Sequence, residues 1–179
     1  MAPRWLGSFQ ARLVLAFALL ITGIGTIGLL AVVRVYEARE RAAFELSATS
    51  MASILAVSAT NAVYDLRFDQ LRILLEKVLQ QPYVRYAYVY DRDGRILADG
   101  TWANPHFNAV PHDPTHRAAI RAEGPLVQYT RGDPAERMLD AAQPIVVAGD
   151  VRLGGVRLGL TTRPLREGVA RVRRLALGS

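Results

Sequence analysis

The most prominent feature of the hydrophobic pattern is an uncharged apolar segment near the N-terminus. Residues 13–33 form a run of 21 positions between Arg12 and Arg34 that contains no charged side chain. As a helix, this run spans about 31 Å, which matches the hydrocarbon core of a bilayer. We therefore predict a transmembrane helix at residues 13–33, preceded by a short tail at residues 1–12.

A cleaved signal sequence is the alternative interpretation of this segment. The apolar core of a signal sequence is about 7–15 residues long and ends at small residues that mark the cleavage site. Here the run is longer and passes directly into Arg34-Val35-Tyr36-Glu37. The sequence therefore favours an uncleaved anchor. Charge does not decide the orientation of that anchor, because arginines flank both of its ends.

A long helical segment follows the apolar run. No glycine occurs between Gly28 and Gly94, and no proline between Pro3 and Pro82, so residues 34–63 can continue the helix outward. Small and apolar residues recur there in alternating steps of four and three, which is heptad spacing. This spacing fits an amphipathic helix packed on its own domain or a parallel dimer seam, and the two are compatible. The residues of the stripe are Phe44, Ala48, Met51, Leu55, Ser58 and Ala62.

The pattern changes from helical to strand-like at Pro82. Apolar residues between Leu71 and Leu79 share one helical face, and the bend between this helix and the preceding one is expected at residues 65–69. Beyond Pro82, runs of β-forming residues alternate with turn residues. This order predicts an α+β domain with a five-stranded antiparallel sheet and helices packed to one side. The predicted elements are strands at 84–90, 95–98, 126–130, 137–147 and 151–161, a loop at 102–114, a short helix at 115–122 and a final helix from Pro164.

Composition and charge narrow the possible functions. The chain has no cysteine, which excludes disulfides, thiolate metal sites and thiol catalysis. The formal charge is +6, yet residues 34–83 carry 6 basic and 6 acidic side chains, and residues 84–163 carry 10 and 9. The excess lies at the two ends, where anionic lipid headgroups explain it better than nucleic acid does. We expect a membrane partner and no nucleic-acid partner.

Two motifs in the second half of the chain resemble a known family. They are Gln81-Pro82-Tyr83-Val84 followed by AYVYDRDGRILA at residues 87–98, and Pro144-Ile145-Val146-Val147 followed by GGVRLGL at residues 154–160. Together with the two N-terminal helices, they look like the extracytoplasmic PAS-like sensor domains called single Cache domains. The resemblance covers residues 34–163. Cache domains open bacterial sensor histidine kinases, diguanylate cyclases and chemoreceptors.

The resemblance implies where the domain lies and how it works. It implies a periplasmic domain at the bacterial inner membrane, a cytoplasmic tail at residues 1–12, a homodimer, and a ligand in the concave face of the sheet. Ligand binding would change the packing of the first and last helices. The family also implies a second membrane helix and a cytoplasmic output module, whereas here an exit helix at residues 164–179 ends the sequence. We therefore expect a fragment, or a sensor that does not signal by itself.

Aromatic residues and a cation suggest a ligand site. Tyr86, Tyr88 and Tyr90 alternate along one face of a predicted strand. Aromatic walls and a buried cation would suit a small, anionic ligand such as a carboxylate, bound between the sheet and the 102–122 segment. The alternative is that the tyrosines pack against the long helix or form a dimer face. The expected ligand-binding residues are Tyr88, Tyr90, Trp102, His106, Arg117 and Tyr129.

The remaining chemistry is weaker. His106, His112 and His116 lie within 11 residues beside Asp113, which could hold a divalent metal or simply form a polar loop, and we expect no metal. Asp91 and Asp93 are expected to be turn residues. Nothing resembles a nucleophile–base pair, a paired-carboxylate site or a phosphate-binding glycine loop. We therefore expect a non-enzyme without a cofactor, acting as a signal-input module or, alternatively, as a membrane-anchored interaction or scaffold protein.

Overall fold

A computed structural model describes residues 9–130, 138–163 and 168. Residues 9–40 and 168 belong to one unit, and residues 41–130 with 138–163 belong to a second. The helices and strands whose bounds are described are α1 (Phe9–Tyr64), α2 (Phe68–Leu79), β1 (Val84–Asp91), β2 (Ile96–Ala98), α3 (Pro114–Arg121), β3 (Leu126–Thr130), β4 (Met138–Val147) and β5 (Val151–Thr161).

The first unit contains the apolar part of α1. This helix is long and apolar enough to cross a membrane, and nearly all side chains between Leu13 and Val33 are exposed. A helix whose apolar side chains point outward in all directions has no protein core of its own to face. The helix therefore meets the length and composition that a membrane span requires, and its bounds in a membrane stay a prediction.

The second unit is built on an antiparallel sheet. Its strand order is β2-β1-β5-β4-β3, and every neighbouring pair is antiparallel. The α+β class and the five-stranded antiparallel sheet predicted from the sequence are confirmed, and the strand bounds agree closely with the predicted ones. The first and last strands of the sequence thus lie side by side in the centre of the sheet, where β5 pairs with both β1 and β4.

One face of the sheet carries the main hydrophobic core. The face is formed by alternate residues such as Ala87 and Val89 of β1 and Val156 and Leu158 of β5, all buried. The second half of α1 and one side of α2 complete this core. The helix residues buried there are Ala48, Ala52, Leu55, Ala56, Ala59, Ala62, Val63, Leu71 and Leu75.

This packing decides how the heptad stripe of α1 is used. Ala48, Leu55 and Ala62 of that stripe are buried in the domain's own core, whereas Ser58 is exposed. The interpretation as an amphipathic helix packed on its own domain is therefore confirmed. The stripe as it was predicted is not available as a dimer seam, because its central residue Leu55 is buried in the core of its own domain.

Two local expectations differ from the structure. The bend between the helices is shorter than predicted, because α2 already begins at Phe68. The expectation that all helices pack to one side is wrong for α3, whose Ala119 packs with Tyr90 and Ala142 on the opposite face of the sheet. The predicted final helix from Pro164 lies almost wholly outside the described residues.

Candidate functional site

The candidate site lies on the sheet face opposite the main core. Strand alternation places Tyr86, Tyr88 and Tyr90 on this face, because Ala87 and Val89 between them point into the core. The alternative interpretation, in which these tyrosines pack against the long helix, is therefore wrong. The rings of Tyr86 and Tyr88 stack with centroids 5.5 Å apart, and they form an aromatic surface beneath α3.

Two glycines of β5 make room for the tyrosine rings. A Cβ atom built on Gly159 would overlap the ring of Tyr86, and one built on Gly155 would overlap the ring of Tyr90. Both rings therefore lie across the neighbouring strand instead of standing upright. Crossing β5 in this way brings the hydroxyl of Tyr86 to Asp140 on β4, to which it donates a hydrogen bond.

Between these glycines, Arg157 forms the centre of a buried ion-pair network. Its Nε donates to Asp140 Oδ2 at 2.6 Å, while its Nη1 and Nη2 donate to the two carboxylate oxygens of Asp113 at 3.2 and 3.1 Å. Nη2 also donates to the hydroxyl of Thr115. The guanidinium lies 5.7 Å from the ring centre of Tyr86. One side chain thus joins β5, β4, the aromatic surface and the start of α3.

The start of α3 is fixed to the sheet by the same network. Asp113 is the N-cap, and its Oδ1 accepts from the backbone N–H of His116 at 2.8 Å. Gln128 on β3 donates from Nε2 to the carbonyl of Thr115 at 2.8 Å and to Asp140 Oδ1 at 3.3 Å. The position of α3 relative to the sheet therefore depends on a small set of polar contacts.

Burial and these contacts shift several pKa values. Burial alone would raise the pKa of Asp113, but hydrogen bonds from Arg157 and Thr115 outweigh it and lower that pKa to about 2. Burial would lower the pKa of Arg157, but the charge of Asp140 raises it further above its ordinary range. Burial also raises the pKa of Tyr88. Near neutral pH the carboxylate of Asp113 and the guanidinium are therefore both charged.

A cavity of about 570 Å³ opens in front of this network. Sites for small molecules enclose roughly 300–1,000 Å³, so the cavity is large enough for a metabolite. Its wall combines three aromatic rings with one ion pair. The lining residues are Tyr86, Tyr88, Asp113, Pro114, Thr115, Tyr129, Thr130 and Arg157.

Three of the six sequence-predicted site residues lie at or behind the aromatic surface. Tyr88 and Tyr129 line the cavity. Tyr90 is 1% exposed and donates from its hydroxyl to the carbonyl of Ala119 at 3.2 Å, so it supports α3 from beneath. Whether these residues bind a ligand stays a prediction.

The other three residues lie elsewhere. His106 lines a second cavity of about 460 Å³, which shares Tyr86 and Tyr88 with the first, and it pairs through Nδ1 with Asp99 at 2.9 Å. Trp102 is 83% exposed, and Arg72 lies 4.4 Å from the centre of its ring. Arg117 is exposed on α3 and lines none of the cavities described here. The expectation of a buried cation at position 117 is therefore wrong, and the buried cation is Arg157.

The histidines have separate structural environments. The ring of His116 is fully buried between Tyr88 and Tyr90, and its Nε2 lies 2.8 Å from the carbonyl of Gly94. Burial lowers the pKa of His116, so its ring is neutral near pH 7. The ring thereby ties the β1–β2 turn to α3. Over the described part of the chain, no three His, Cys, Asp or Glu side chains are grouped so that they could hold a metal ion.

The turn between β1 and β2 follows the sequence prediction. Asp91 Oδ1 accepts hydrogen bonds from the backbone N–H groups of Asp93 and Arg95, at 2.9 and 2.8 Å. Gly94 follows in a left-handed conformation with φ of 82°. Asp91 is therefore a turn residue, as expected, and stands apart from the cavity.

Sequence reasoning missed the two charged residues at the heart of the site. Asp140 interrupts an apolar strand, and Arg157 stands between Val156 and Leu158 on another. A register shift between Ile145 and Val146 places Asp140 and Arg157 on the same face of the sheet. The register set by the turn alone would place them on opposite faces, so the sequence did not signal this ion pair.

The family model described as single Cache domain 3 matches residues 34–174. No curated protein matches the chain. Among solved structures, an extracellular ligand binding receptor from Desulfohalobium retbaense matches with a TM-score of 0.62 and 14% identity, over 78% of this chain and 26% of that one.

Two further structures are similar. One is a domain described as belonging to a sensory box/GGDEF family protein from Vibrio parahaemolyticus, with a TM-score of 0.58, 15% identity, and coverage of 83% of this chain and 64% of that one. The other is the E. coli DcuS sensor domain, with a TM-score of 0.52, 13% identity, and coverage of 70% and 97%. This chain spans less than two thirds of the receptor and of the sensory box structure. At identities this low, the structural similarity shows a shared fold alone.

Proposed function

This chain belongs to the single Cache domain 3 family, and on that premise we propose that its second unit binds a small molecule in the cavity in front of Arg157. Domains of this family are extracytoplasmic, ligand-binding input domains of signal transducers. They are not catalytic. The protein is accordingly a membrane-anchored sensor, with α1 as its anchor.

The observation that carries the proposal is the position of the cavity between two parts of the fold. Its wall includes Tyr86 and Arg157 from the sheet, and Asp113 to Thr115 from the start of α3. A ligand there contacts both layers at once, at the place where polar contacts fix one to the other. Binding therefore acts on the position of α3, which is a physical route from occupancy to a conformational signal.

Three finer parts of the function complete the proposal. Residues 34–163 lie in the periplasm of a bacterial cell, with α1 in the inner membrane and residues 1–12 in the cytoplasm. Two copies associate as a homodimer. Residues 1–179 carry no catalysis, and any kinase, cyclase or chemoreceptor output belongs to another part of the signalling system. These statements rest on the family.

A ligand screen tests the proposal directly. The 179-residue chain in a nonionic detergent is unfolded thermally in the presence of amino acids, amines, organic acids and sugars. A ligand at a hundredfold excess over its dissociation constant stabilises the folded state by about 2.7 kcal/mol, so a binder raises the Tm by roughly 10 °C. The proposal fails for this cavity if no compound of any class shifts the Tm.

Two tyrosine variants localise the binding. Tyr129 lines the cavity and is 40% exposed, so Tyr129→Ala removes one wall at small cost to the fold. We expect it to weaken ligand binding at least about tenfold. Tyr64→Ala is the matched control, because Tyr64 is 69% exposed at the end of α1 and outside the cavity lining. Equal losses in the two variants would place the ligand elsewhere.

A protein-interaction module is the second candidate, and exposed aromatic residues favour it. Trp102 is 83% exposed and Phe107 is 52% exposed, in the same loop. Phe107 packs edge-on against Phe68, with ring centres 5.5 Å apart. Exposed aromatic groups of this kind are common at protein interfaces. A chain that binds no small molecule, and whose Trp102→Ala variant loses a partner protein, would favour this function.

A further inference from the structure

The charge that the cavity presents to a ligand is negative. Its lining contains two ionised side chains, Asp113 and Arg157. The side chain of Asp113 is 41% exposed, whereas that of Arg157 is 3% exposed. A molecule entering the cavity therefore meets a carboxylate that is open to solvent, and a guanidinium that lies behind other groups.

The guanidinium has little remaining capacity to bind an anion. Of its five N–H groups, Nε–H is used by Asp140, one on Nη1 by Asp113, and two on Nη2 by Asp113 and Thr115. An anionic ligand would have to displace Asp113, which is bound bidentately and also caps α3. The carboxylate of a ligand would thus compete for the guanidinium with that of Asp113, which is already hydrogen-bonded to it.

The charge balance of the network points the same way. Arg157 carries one positive charge, and Asp113 and Asp140 carry two negative charges, which leaves the network behind the cavity with an excess of one negative charge. Asp140 is fully buried, so its charge is weakly screened by solvent. The only other lining groups with strong electrostatic character are the tyrosine rings.

Tyrosine rings attract cations through their faces. The ring centres of Tyr86 and Tyr88 already lie 5.7 and 5.4 Å from the guanidinium of Arg157. Arg41 likewise lies 5.9 Å from the ring centre of Tyr129 at the edge of the cavity. All three aromatic walls of the cavity therefore already lie close to a positively charged side chain.

We propose that the ligand of this cavity carries an ammonium, amidine or guanidinium group, which binds to Asp113 against the aromatic wall of Tyr86, Tyr88 and Tyr129. The inference rests on the proposed function, since it names the chemical class that the same cavity accepts. It replaces the sequence expectation of an anionic ligand, which depended on Arg117 as the cation in the site.

Probes of equal length and different charge test the inference. Putrescine, γ-aminobutyrate and succinate share a four-carbon chain. Putrescine carries two ammonium groups, γ-aminobutyrate carries one ammonium and one carboxylate, and succinate carries two carboxylates. Cadaverine, 5-aminovalerate and glutarate form the corresponding five-carbon set. Titration calorimetry on the 179-residue chain in a nonionic detergent gives the affinity of each. We expect the diamines and amino acids to bind at least about tenfold more tightly than the dicarboxylates.

A pair of charge-neutralising variants identifies the acceptor. Asp113→Asn keeps an N-cap oxygen but removes the negative charge, so it should lower the affinity for putrescine and cadaverine at least about tenfold. Asp150→Asn makes the same change in an exposed turn and should leave both affinities unchanged. A loss in both variants would mean that the diamines respond to the overall charge, and would overturn the assignment.

The results with the wild-type chain distinguish failure of the inferred ligand class from failure of the proposed sensor function. They do not depend on whether Asp113→Asn folds. Selective binding of ammonium compounds supports both the cavity function and the inferred class. Binding of succinate or glutarate with no binding of the diamines overturns the inference and leaves the sensor function standing. Binding of no probe, together with no shift in the wider thermal screen, overturns both.

Discussion

Arg157 and its two carboxylate partners dominate the site at the scale of single residues. Arg157 is 2% exposed and Asp140 is 0% exposed. A buried ion pair adds little net stability relative to an apolar pair, but removing one member leaves an uncompensated buried charge, which costs about 3–5 kcal/mol. The network therefore fixes the arrangement of β4, β5 and α3 more than it strengthens the fold.

The first prediction compares the buried arginine with the exposed one. Arg157→Gln should lower the free energy of unfolding by about 3–5 kcal/mol, because Asp140 and Asp113 lose the cation that offsets them. Arg117→Gln makes the same substitution on the exposed surface of α3 and should leave the free energy of unfolding nearly unchanged. Urea unfolding of the chain in detergent measures both. Similar values for the two variants would contradict the network as described.

The second prediction concerns acid. The pKa of Asp113 is lowered to about 2 in the folded state, below the ordinary value of roughly 3.9 for an aspartate. A lowered folded-state pKa contributes stability that is complete above the unfolded pKa and is lost as the pH falls through the folded one. The difference in unfolding free energy between wild type and Asp113→Asn should therefore be constant above about pH 5 and shrink toward pH 2. A difference that does not change over this range would mean that Asp113 is not paired with Arg157.

At this scale, the sequence predicted the aromatic half of the site and missed the charged half. The alternation of Tyr86 and Tyr88 follows directly from strand geometry. Arg117 was misplaced because its helix is short and mostly polar, so no apolar stripe indicates which face meets the sheet. Arg157 on β5 and Asp113 before α3 meet only in the folded chain, and no local rule specifies that contact.

At the scale of elements, most boundaries could be predicted. The long glycine-free and proline-free stretch gave α1, and the runs between turn residues gave β1 to β5 within one or two residues. The side of the sheet that α3 occupies could not be predicted. Its sequence is short and polar, and its packing is decided by Tyr90, Ala119 and Ala142, which are distant in the sequence.

The third prediction concerns the glycine that allows Tyr86 to cross β5. The Cβ atom of Gly159→Ala would overlap the Tyr86 ring, so the ring must move away from Asp140. We expect a loss of about 1–3 kcal/mol in unfolding free energy, as for other overpacked sites. Gly124→Ala is the control, since nothing lies within 4 Å of a Cβ atom at that glycine. In a double-mutant cycle, Tyr86→Ala should remove most of the Gly159→Ala cost, and additive effects would refute the overlap.

The fourth prediction concerns the outward face of α1. Leu46, Ile54 and Val57 are exposed there at 68%, 68% and 77%, and their spacing places them on one face of the helix. We propose this exposed stripe as the homodimer contact. Because the chain has no cysteine, Ile54→Cys introduces a single thiol. It should give a covalent dimer when native membranes are oxidised.

The control for this cross-link lies on a different element. Asp150→Cys places a thiol in the exposed turn between β4 and β5. Collisions alone would cross-link both variants equally. Efficient cross-linking of Ile54→Cys with little from Asp150→Cys therefore supports the dimer through α1, and equal or reversed efficiencies contradict it.

At the scale of the whole molecule, the arrangement of the strands was indicated by the resemblance to Cache domains and not by the hydrophobic periodicity. The hydrophobic pattern predicts five strands but not their order, because each apolar strand can pair with several others. The order β2-β1-β5-β4-β3 depends on β5 lying between β1 and β4. The motifs at residues 87–98 and 154–160 implied a PAS-like sheet, and these segments contain much of the β1–β2 and β1–β5 pairing.

The last prediction concerns the orientation of the chain in the membrane. Arg4 and Arg12 precede the apolar segment, and Arg34, Arg39 and Arg41 follow it, so the positive-inside rule gives no clear answer. Since the chain belongs to a family of extracytoplasmic domains, we predict that residues 34–179 are exported. Alkaline phosphatase fused after Ser179 should be active in a bacterial host, and a fluorescent protein fused there should be dark. The same fluorescent protein placed before Met1 is the control and should fluoresce, because residues 1–12 are predicted to remain in the cytoplasm. Fluorescence from the fusion at Ser179 without phosphatase activity would reverse this topology and remove the domain from the compartment in which it is proposed to sense its ligand.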